Sequence, residues 1–148
     1  MDNYSDDRKF REIIRLFERK LGLLTDNEMS CCGVTMAQCH AIVEIGRAGS
    51  ISLNELANLL NLDNSTMSRT VNNLVTGNLA RRDLDPQDRR YVTISLTEEG
   101  SRIFEGIETN TGSYFKKVYE TIPENKRGQV LESLQILLSA LEENDCCK

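Results

Sequence analysis

Between Ser52 and Gly77 the chain signals two helix starts and two helix ends in quick succession. Ser52 with Glu55 makes a capping box, the hydroxyl and carboxylate satisfying N–H groups that a first helical turn leaves unpaired. Leu56, Leu59 and Leu60 follow as the apolar side of a short helix. Asn61 to Asp63 reads as a turn, and Asp63 or Asn64 can cap a second helix. Gly77 is the residue type expected just past that helix's C-terminus. Two helices joined by so tight a turn form a helix-turn-helix.

In the second of these helices, at about 100° per residue, Met67, Val71 and Leu74 fall on one side. Ser65, Arg69, Asn72 and Thr76 fall on the other. An ordinary solvated helix face carries Glu and Lys; this one offers hydroxyls, amides and one guanidinium, none of which repels phosphate. Arg suits guanine O6/N7, Asn suits adenine N6/N7, and Ser or Thr serves base or backbone. Ser65 to Thr76 is therefore expected to read the major groove of double-stranded DNA, with Ser65, Thr66, Ser68, Arg69, Asn72 and Thr76 as contacts. The bland alternative is a polar helix face with no partner.

Net charge by itself argues against this, since the whole chain carries −5. Its distribution removes the conflict. Residues 65–96 sum to +2 and the rest to −7, and from Asn64 to Arg82 there are three arginines and no acid. Local field is what a phosphate backbone senses.

After the helix-turn-helix, Leu79 to Leu84 and Tyr91 to Leu96 read as two strands joined by Asp-Pro-Gln-Asp-Arg-Arg, whose Asp-Pro starts a turn. Arg89 and Arg90 fall at the tip of this hairpin, where a guanidinium can enter a narrow minor groove or clamp phosphate. Asp85 and Asp88 are placed to pair with them. Upstream, Phe10, Ile13, Ile14, Phe17 and Leu21 mark an amphipathic helix from about Asp6 to Leu24, followed by a polar stretch from Thr25 to Gly33. Thr35 with Gln38 caps a helix from Met36 to about Ala48. Downstream, Thr97 caps a helix from Glu98 to about Thr121, weakened by Gly100, Gly106 and Gly112. Pro123 sits in the first turn of a last helix with Val130, Leu131, Leu134, Leu137, Leu138 and Leu141 on one stripe.

The order of these elements, with Asp85-Pro86-Gln87-Asp88-Arg89-Arg90-Tyr91-Val92 followed by Ile94-Ser95-Leu96-Thr97, resembles the MarR-type winged-helix regulators over nearly the whole chain. Leu53 to Leu60 resembles that family's first helix-turn-helix helix, and Ser65 to Leu79 its recognition helix. The resemblance implies a mainly α fold with a small β-hairpin wing: a winged helix-turn-helix with N- and C-terminal helices forming a dimerisation domain. Residues 6–33 and 122–148 are then dimerisation helices, 34–97 the DNA-binding region and 98–121 a long connecting helix. The implied function is a homodimeric transcriptional regulator, a repressor bound to a palindromic operator and responsive to a small ligand, oxidant or metal.

Five cysteines, Cys31, Cys32, Cys39, Cys146 and Cys147, and one histidine, His40, remain. An odd number containing adjacent pairs is a poor disulfide framework, so reduced thiols are expected. If the dimer implied by the family gathers the chain ends, these thiols and His40 converge as a site for a thiophilic metal or metalloid, or for an oxidant. Some MarR-type regulators sense zinc with histidines on the second and fifth helices; this chain, with one histidine, departs from that pattern. Structural cysteines in a regulator of a small organic ligand are the alternative. No certain cofactor is expected. A thiol-based enzyme lacks support: there is no glycine-rich phosphate loop and no C-x-x-C. No apolar run approaches a membrane span, and the N-terminus lacks a signal-peptide pattern, so a cytoplasmic protein without membrane association is expected.

Overall fold

Gly33 and Gly49 decide where the first two helices stop. The computed structural model describes residues 5–88 and 90–144, and for residues 23–32 the backbone alone. Helix α1 (Asp6–Cys32) runs past its predicted end at Leu24. Thr25 to Cys32 contains neither Gly nor Pro, and Gly33, at φ 70°, is the next residue that enters the left-handed region cheaply. Helix α2 (Met36–Ala48) begins with both halves of its capping box: Gln38 N donates to Thr35 Oγ1 at 3.2 Å and Thr35 N to Gln38 Oε1 at 2.9 Å. It ends at Gly49, φ 78°.

Strand β1 (Ile51–Ser52) leads into helix α3 (Leu53–Leu59), where Glu55 N donates to the Ser52 hydroxyl at 3.2 Å. Helix α4 (Asn64–Thr76) follows, then strands β2 (Ala80–Leu84) and β3 (Val92–Leu96). The antiparallel sheet has the order β1-β3-β2, with Ile51 and Arg82 both in register with Ile94. The sequence predicts only the hairpin. A two-residue strand is too short to display alternation, and β1 is held by pairing with a distant segment.

The core lies where α2, α3, α4 and the sheet meet. Ile42, Ile45, Leu56, Met67, Val71, Leu74 and Ile94 are fully buried. Met67, Val71 and Leu74 are the set the helical spacing places inward. Each such side chain contributes about 1.5–3 kcal/mol by leaving water.

Both helix-turn-helix helices end on asparagine. Asn61 (φ 54°) and Asn78 (φ 59°) adopt the left-handed conformation. Leu62 N then reaches back to Ala57 O (2.9 Å) and Leu79 N to Leu74 O (2.8 Å), with companion bonds from Asn61 N to Asn58 O and Asn78 N to Val75 O. These are Schellman ends, which satisfy carbonyls left over by the last turn. Gly77, predicted as the stop, keeps φ −79° instead. Asn tolerates the left-handed region through its short polar side chain. At Gly77 a Cβ would lie 3.3 Å from Asn73 O, so its small size serves packing.

Helix α5 (Glu98–Thr121) is continuous despite its glycines. Gly100 is required: a Cβ there would run into the carbonyl of Leu79. Gly106 and Gly112 have open space around them. Around Gly112 the sequence Thr109-Asn110-Thr111-Gly112-Ser113 consists of poor helix formers, together about 3 kcal/mol worse than alanines.

By contact density the described residues form two units, one up to Asn110 and one from Thr111. In the second, Pro123 precedes a single 3-10 turn (Glu124–Lys126) and helix α6 starts only at Arg127 (Arg127–Glu143), later than predicted, because Pro123 adopts ψ 133°. Arg127 closes the end of α5: Nε donates to the carbonyls of Tyr119 and Ile122 (3.2 and 3.0 Å) and Nη2 to that of Glu120 (3.0 Å), with the guanidinium 5.2 Å from the Tyr119 ring centre. No residue of α6 is buried, and Leu131, Leu134, Leu138 and Leu141 are exposed. In the first unit, the α1 face of Phe10, Ile13, Leu16, Phe17 and Leu21 is exposed as well.

Candidate nucleic-acid interface

The outward face of α4 is set at its first turn. Asp63 caps the helix, one carboxylate oxygen accepting from Thr66 N at 3.0 Å. Its carboxyl is held below the usual carboxylate range, first by the Thr66 side chain, then by the Thr66 N–H, with a smaller pull from Arg69. The acid nearest the face is thus occupied by the helix end. Thr70, at the edge of the core, returns its hydroxyl to Thr66 O at 3.2 Å.

With Met67, Val71 and Leu74 buried, Ser65, Arg69, Asn72 and Thr76 are exposed together, while Thr66 and Ser68 are half-buried. Asn64 and Asn73 are also exposed. Neither is among the contacts expected from the sequence, although the acid-free run from Asn64 onward contains the signal for both.

The wing supplies a second group. Its turn is closed by Asp85 N to Tyr91 O (2.9 Å) and Tyr91 N to Asp88 O (3.0 Å). Asp88 takes three bonds from Arg90: backbone N and Nε to Oδ1, both 3.1 Å, and Nη2 to Oδ2 at 3.0 Å. The pairing holds the Asp88 carboxyl below its ordinary range and raises Arg90 further. The Arg90 side chain is nevertheless 87% exposed, so Asp88 aims the guanidinium without covering it. Asp85, expected to pair with the tip arginines, accepts from Gln87 N at 2.9 Å and so shapes the turn instead. Arg89 lies outside the described residues.

On β2, Arg81 is tied to its neighbours, donating to Ser95 Oγ at 3.1 Å and lying 3.5 Å from Asp83, whereas Arg82 is exposed. A groove of about 470 Å³ beside the start of α3 is lined by Asn54, Glu55, Asp85, Tyr91 and Thr93 among others; its two carboxylates make it a poor place for phosphate.

Of the candidate thiol site, Cys39 is half-buried and packs against the core, and its neighbour His40 is exposed on α2. Cys146 and Cys147 lie outside the described residues, as do the side chains of Cys31 and Cys32. Among the described residues, no three His, Cys, Asp or Glu side chains gather where they could hold a metal ion.

The MarR family model matches residues 34–92, from just before α2 to the start of β3, and so contains both helix-turn-helix helices and the wing tip. The uncharacterized HTH-type transcriptional regulator YhbI of Bacillus subtilis (strain 168) is 30% identical over 110 residues, covering 74% of this chain and 71% of YhbI. The chain belongs to the MarR family. The likeness to MarR-family proteins also extends beyond the matched segment. The HTH-type transcriptional regulator BilQ of Clostridium symbiosum (strain WAL-14163) is 23% identical over 142 residues, 96% of this chain and 99% of BilQ. Streptococcus pneumoniae FabT, solved in complex with DNA, superposes with a TM-score of 0.81 at 22% identity over 91% of this chain and 98% of FabT. The fold of this MarR-family chain is the winged helix-turn-helix, mostly helical with a small antiparallel sheet.

Proposed function

We propose that this MarR-family protein is a DNA-binding transcriptional regulator that grips a palindromic operator as a homodimer, with α4 in the major groove and the wing tip in the minor groove. The observation that carries the reading is the exposed, acid-free face of Ser65, Arg69, Asn72 and Thr76 on a helix whose opposite face is fully buried. A helix so anchored presents short donors and acceptors at fixed positions, as base-edge recognition requires. Arg90, aimed by Asp88, suits a narrow minor groove. The complex of FabT with DNA supports the same reading. Dimerisation is supported by the apolar faces of α1 and α6, which stay exposed in a single chain.

The test is binding to duplexes recovered by the wild-type protein from a random-sequence pool. Arg69→Ala and Arg90→Ala are each expected to weaken binding about 5- to 150-fold, with Arg69→Ala also relaxing preference at one base pair. Arg90→Ala should lower the salt slope by about one, because one cation fewer displaces counterions from the DNA. Wild-type retardation by both variants would overturn the assignment.

A further inference from the structure

We infer that Arg82 is a phosphate clamp standing between the helix that enters the major groove and the wing tip that enters the minor groove, and that its neighbour Arg81 takes no part in DNA contact. The inference rests on the DNA-reading proposal and adds a contact which that proposal does not contain.

The two arginines look alike in the sequence, and the sheet register separates them. Successive residues of a strand point to opposite faces. Arg81 stands opposite Ser95, and Asp83 opposite Thr93. On that face Arg81 Nε donates to Ser95 Oγ at 3.1 Å and lies 3.5 Å from Asp83 Oδ2, while the Thr93 hydroxyl donates to Asp83 O at 3.3 Å. The charge of Arg81 is thus matched by a carboxylate beside it. Ala80, Arg82 and Leu84 occupy the other face, opposite Leu96, Ile94 and Val92. This is the core face: Ala80 is 3% exposed, Ile94 is fully buried, and both share the core with Val71 and Leu74 of α4.

Along β2 the core face passes into solvent. Ala80 is buried, Arg82 is exposed and Leu84 is 58% exposed. Arg82 therefore stands about 7 Å beyond the last buried position of the strand, toward the wing tip. Unlike Arg81, it makes no ion pair among the described residues. With α4 in the major groove and Arg90 in the adjacent minor groove, one sugar-phosphate strand runs between them. The protein surface over that strand is the stretch from α4 along the core face of β2 to the tip, and Arg82 is the charged side chain that β2 places there. A guanidinium fork matches the oxygens of a phosphate. Such a contact fixes the register of helix and wing on the duplex and carries no sequence information of its own.

Full-length wild type, Arg82→Ala, Arg82→Lys and Arg81→Ala are compared on a duplex that the wild-type protein selects from a random-sequence pool and on duplexes of unrelated sequence, each across a salt series. Circular dichroism checks that the variants are folded. Arg82→Ala is expected to lose about tenfold in affinity on selected and unrelated duplexes alike, and to lower the salt slope by about one for each half-site occupied. Arg82→Lys should keep the slope, because it keeps the charge. Arg81→Ala should stay within about twofold of wild type at about 0.15 M salt, where a charge on the far face of the sheet is screened over about 8 Å. Duplexes carrying single uncharged methylphosphonates then place the contact. Wild type and Arg81→Ala should lose affinity when the phosphate between the major-groove and minor-groove contacts is neutralised, and Arg82→Ala should be indifferent to that replacement. Wild-type affinity and slope in Arg82→Ala overturn the clamp. A loss confined to the selected sequence overturns it as well, because Arg82 would then read a base. Equal losses in Arg81→Ala and Arg82→Ala also overturn it, leaving only a diffuse positive field. A wild-type protein that selects no duplex sinks the DNA reading itself, and the clamp with it.

Discussion

The winged body and the helices that flank it use the same residue types to opposite ends. In the body, Leu56, Leu74 and Ile94 are 0% exposed, and the only polar side chain in that core, among the described residues, is Thr70, bonded to its own helix. In α6, Leu134 is 44% and Leu138 59% exposed, on a stripe as regular as any in the core. The body closes its apolar surface against itself. The flanking helices leave theirs exposed, and in the proposed dimer that regular apolar stripe is the surface a second copy covers. If the dimer is as proposed, what distinguishes a core from an interface here is not periodicity but whether the same chain supplies the opposite face.

The strongest way to break this contrast is a charge on the exposed stripe. If Leu134 were ordinary solvent-facing surface, Leu134→Glu would change stability by no more than about 0.5 kcal/mol. If a second copy covers it, the charge is buried in an apolar interface and the dimer dissociates. Sedimentation should then show a monomer, and binding to a two-half-site duplex should fall by about 10²–10⁴-fold as bivalent attachment is lost. A Leu134→Glu dimer with wild-type affinity would mean the stripe is not the interface.

The contrast sharpens in the body, where the same residue type has no partner to lose. Leu74→Ala removes a fully buried side chain at the point where α4 meets the sheet, and should cost about 2–5 kcal/mol of folding stability. For a chain of this size that corresponds to a melting point lower by roughly 5–15 °C, independent of protein concentration. A concentration-dependent loss would place Leu74 in an interface and erase the distinction.

These differences explain what was legible in the sequence. The two faces of α4 were, because its inward set of Met67, Val71 and Leu74 and its outward set of Ser65, Arg69, Asn72 and Thr76 are separated by local geometry alone. Capping at Thr35 and Ser52 was legible for the same reason. The end of α4 before Gly77 was legible as well; which residue takes the left-handed turn after it was not, since Gly77 and Asn78 are both competent to do so and Asn78 does. Strand β1 was invisible because its two residues are strand only by virtue of β3. The continuation of α1 to Cys32 was not legible because the stretch after Leu24 is mostly polar and extends no apolar stripe, although no Gly or Pro stands in it before Gly33. In the wing, two aspartates had equal claims on the arginines, and the turn geometry assigned them different work.

The wing tip sharpens the contrast from the other side, because its order owes nothing to burial. Asp88 and Arg90 are held by three hydrogen bonds on an open surface. The Asp88 carboxyl is lowered, so the pairing favours the folded wing above the unfolded carboxylate value of about 3.9 and is lost as pH falls through the lower, folded value. At neutral pH the tip is therefore fully aimed, and acid should loosen it only below the range in which ordinary carboxylates titrate. Carboxyl-detected NMR should give Asp88 a midpoint beneath about 3.9, moving back toward that value in Arg90→Ala. Since the guanidinium bond is the leading cause of the shift, an Asp88 midpoint that ignores the loss of Arg90 would mean that the turn backbone, not the ion pair, orders the tip.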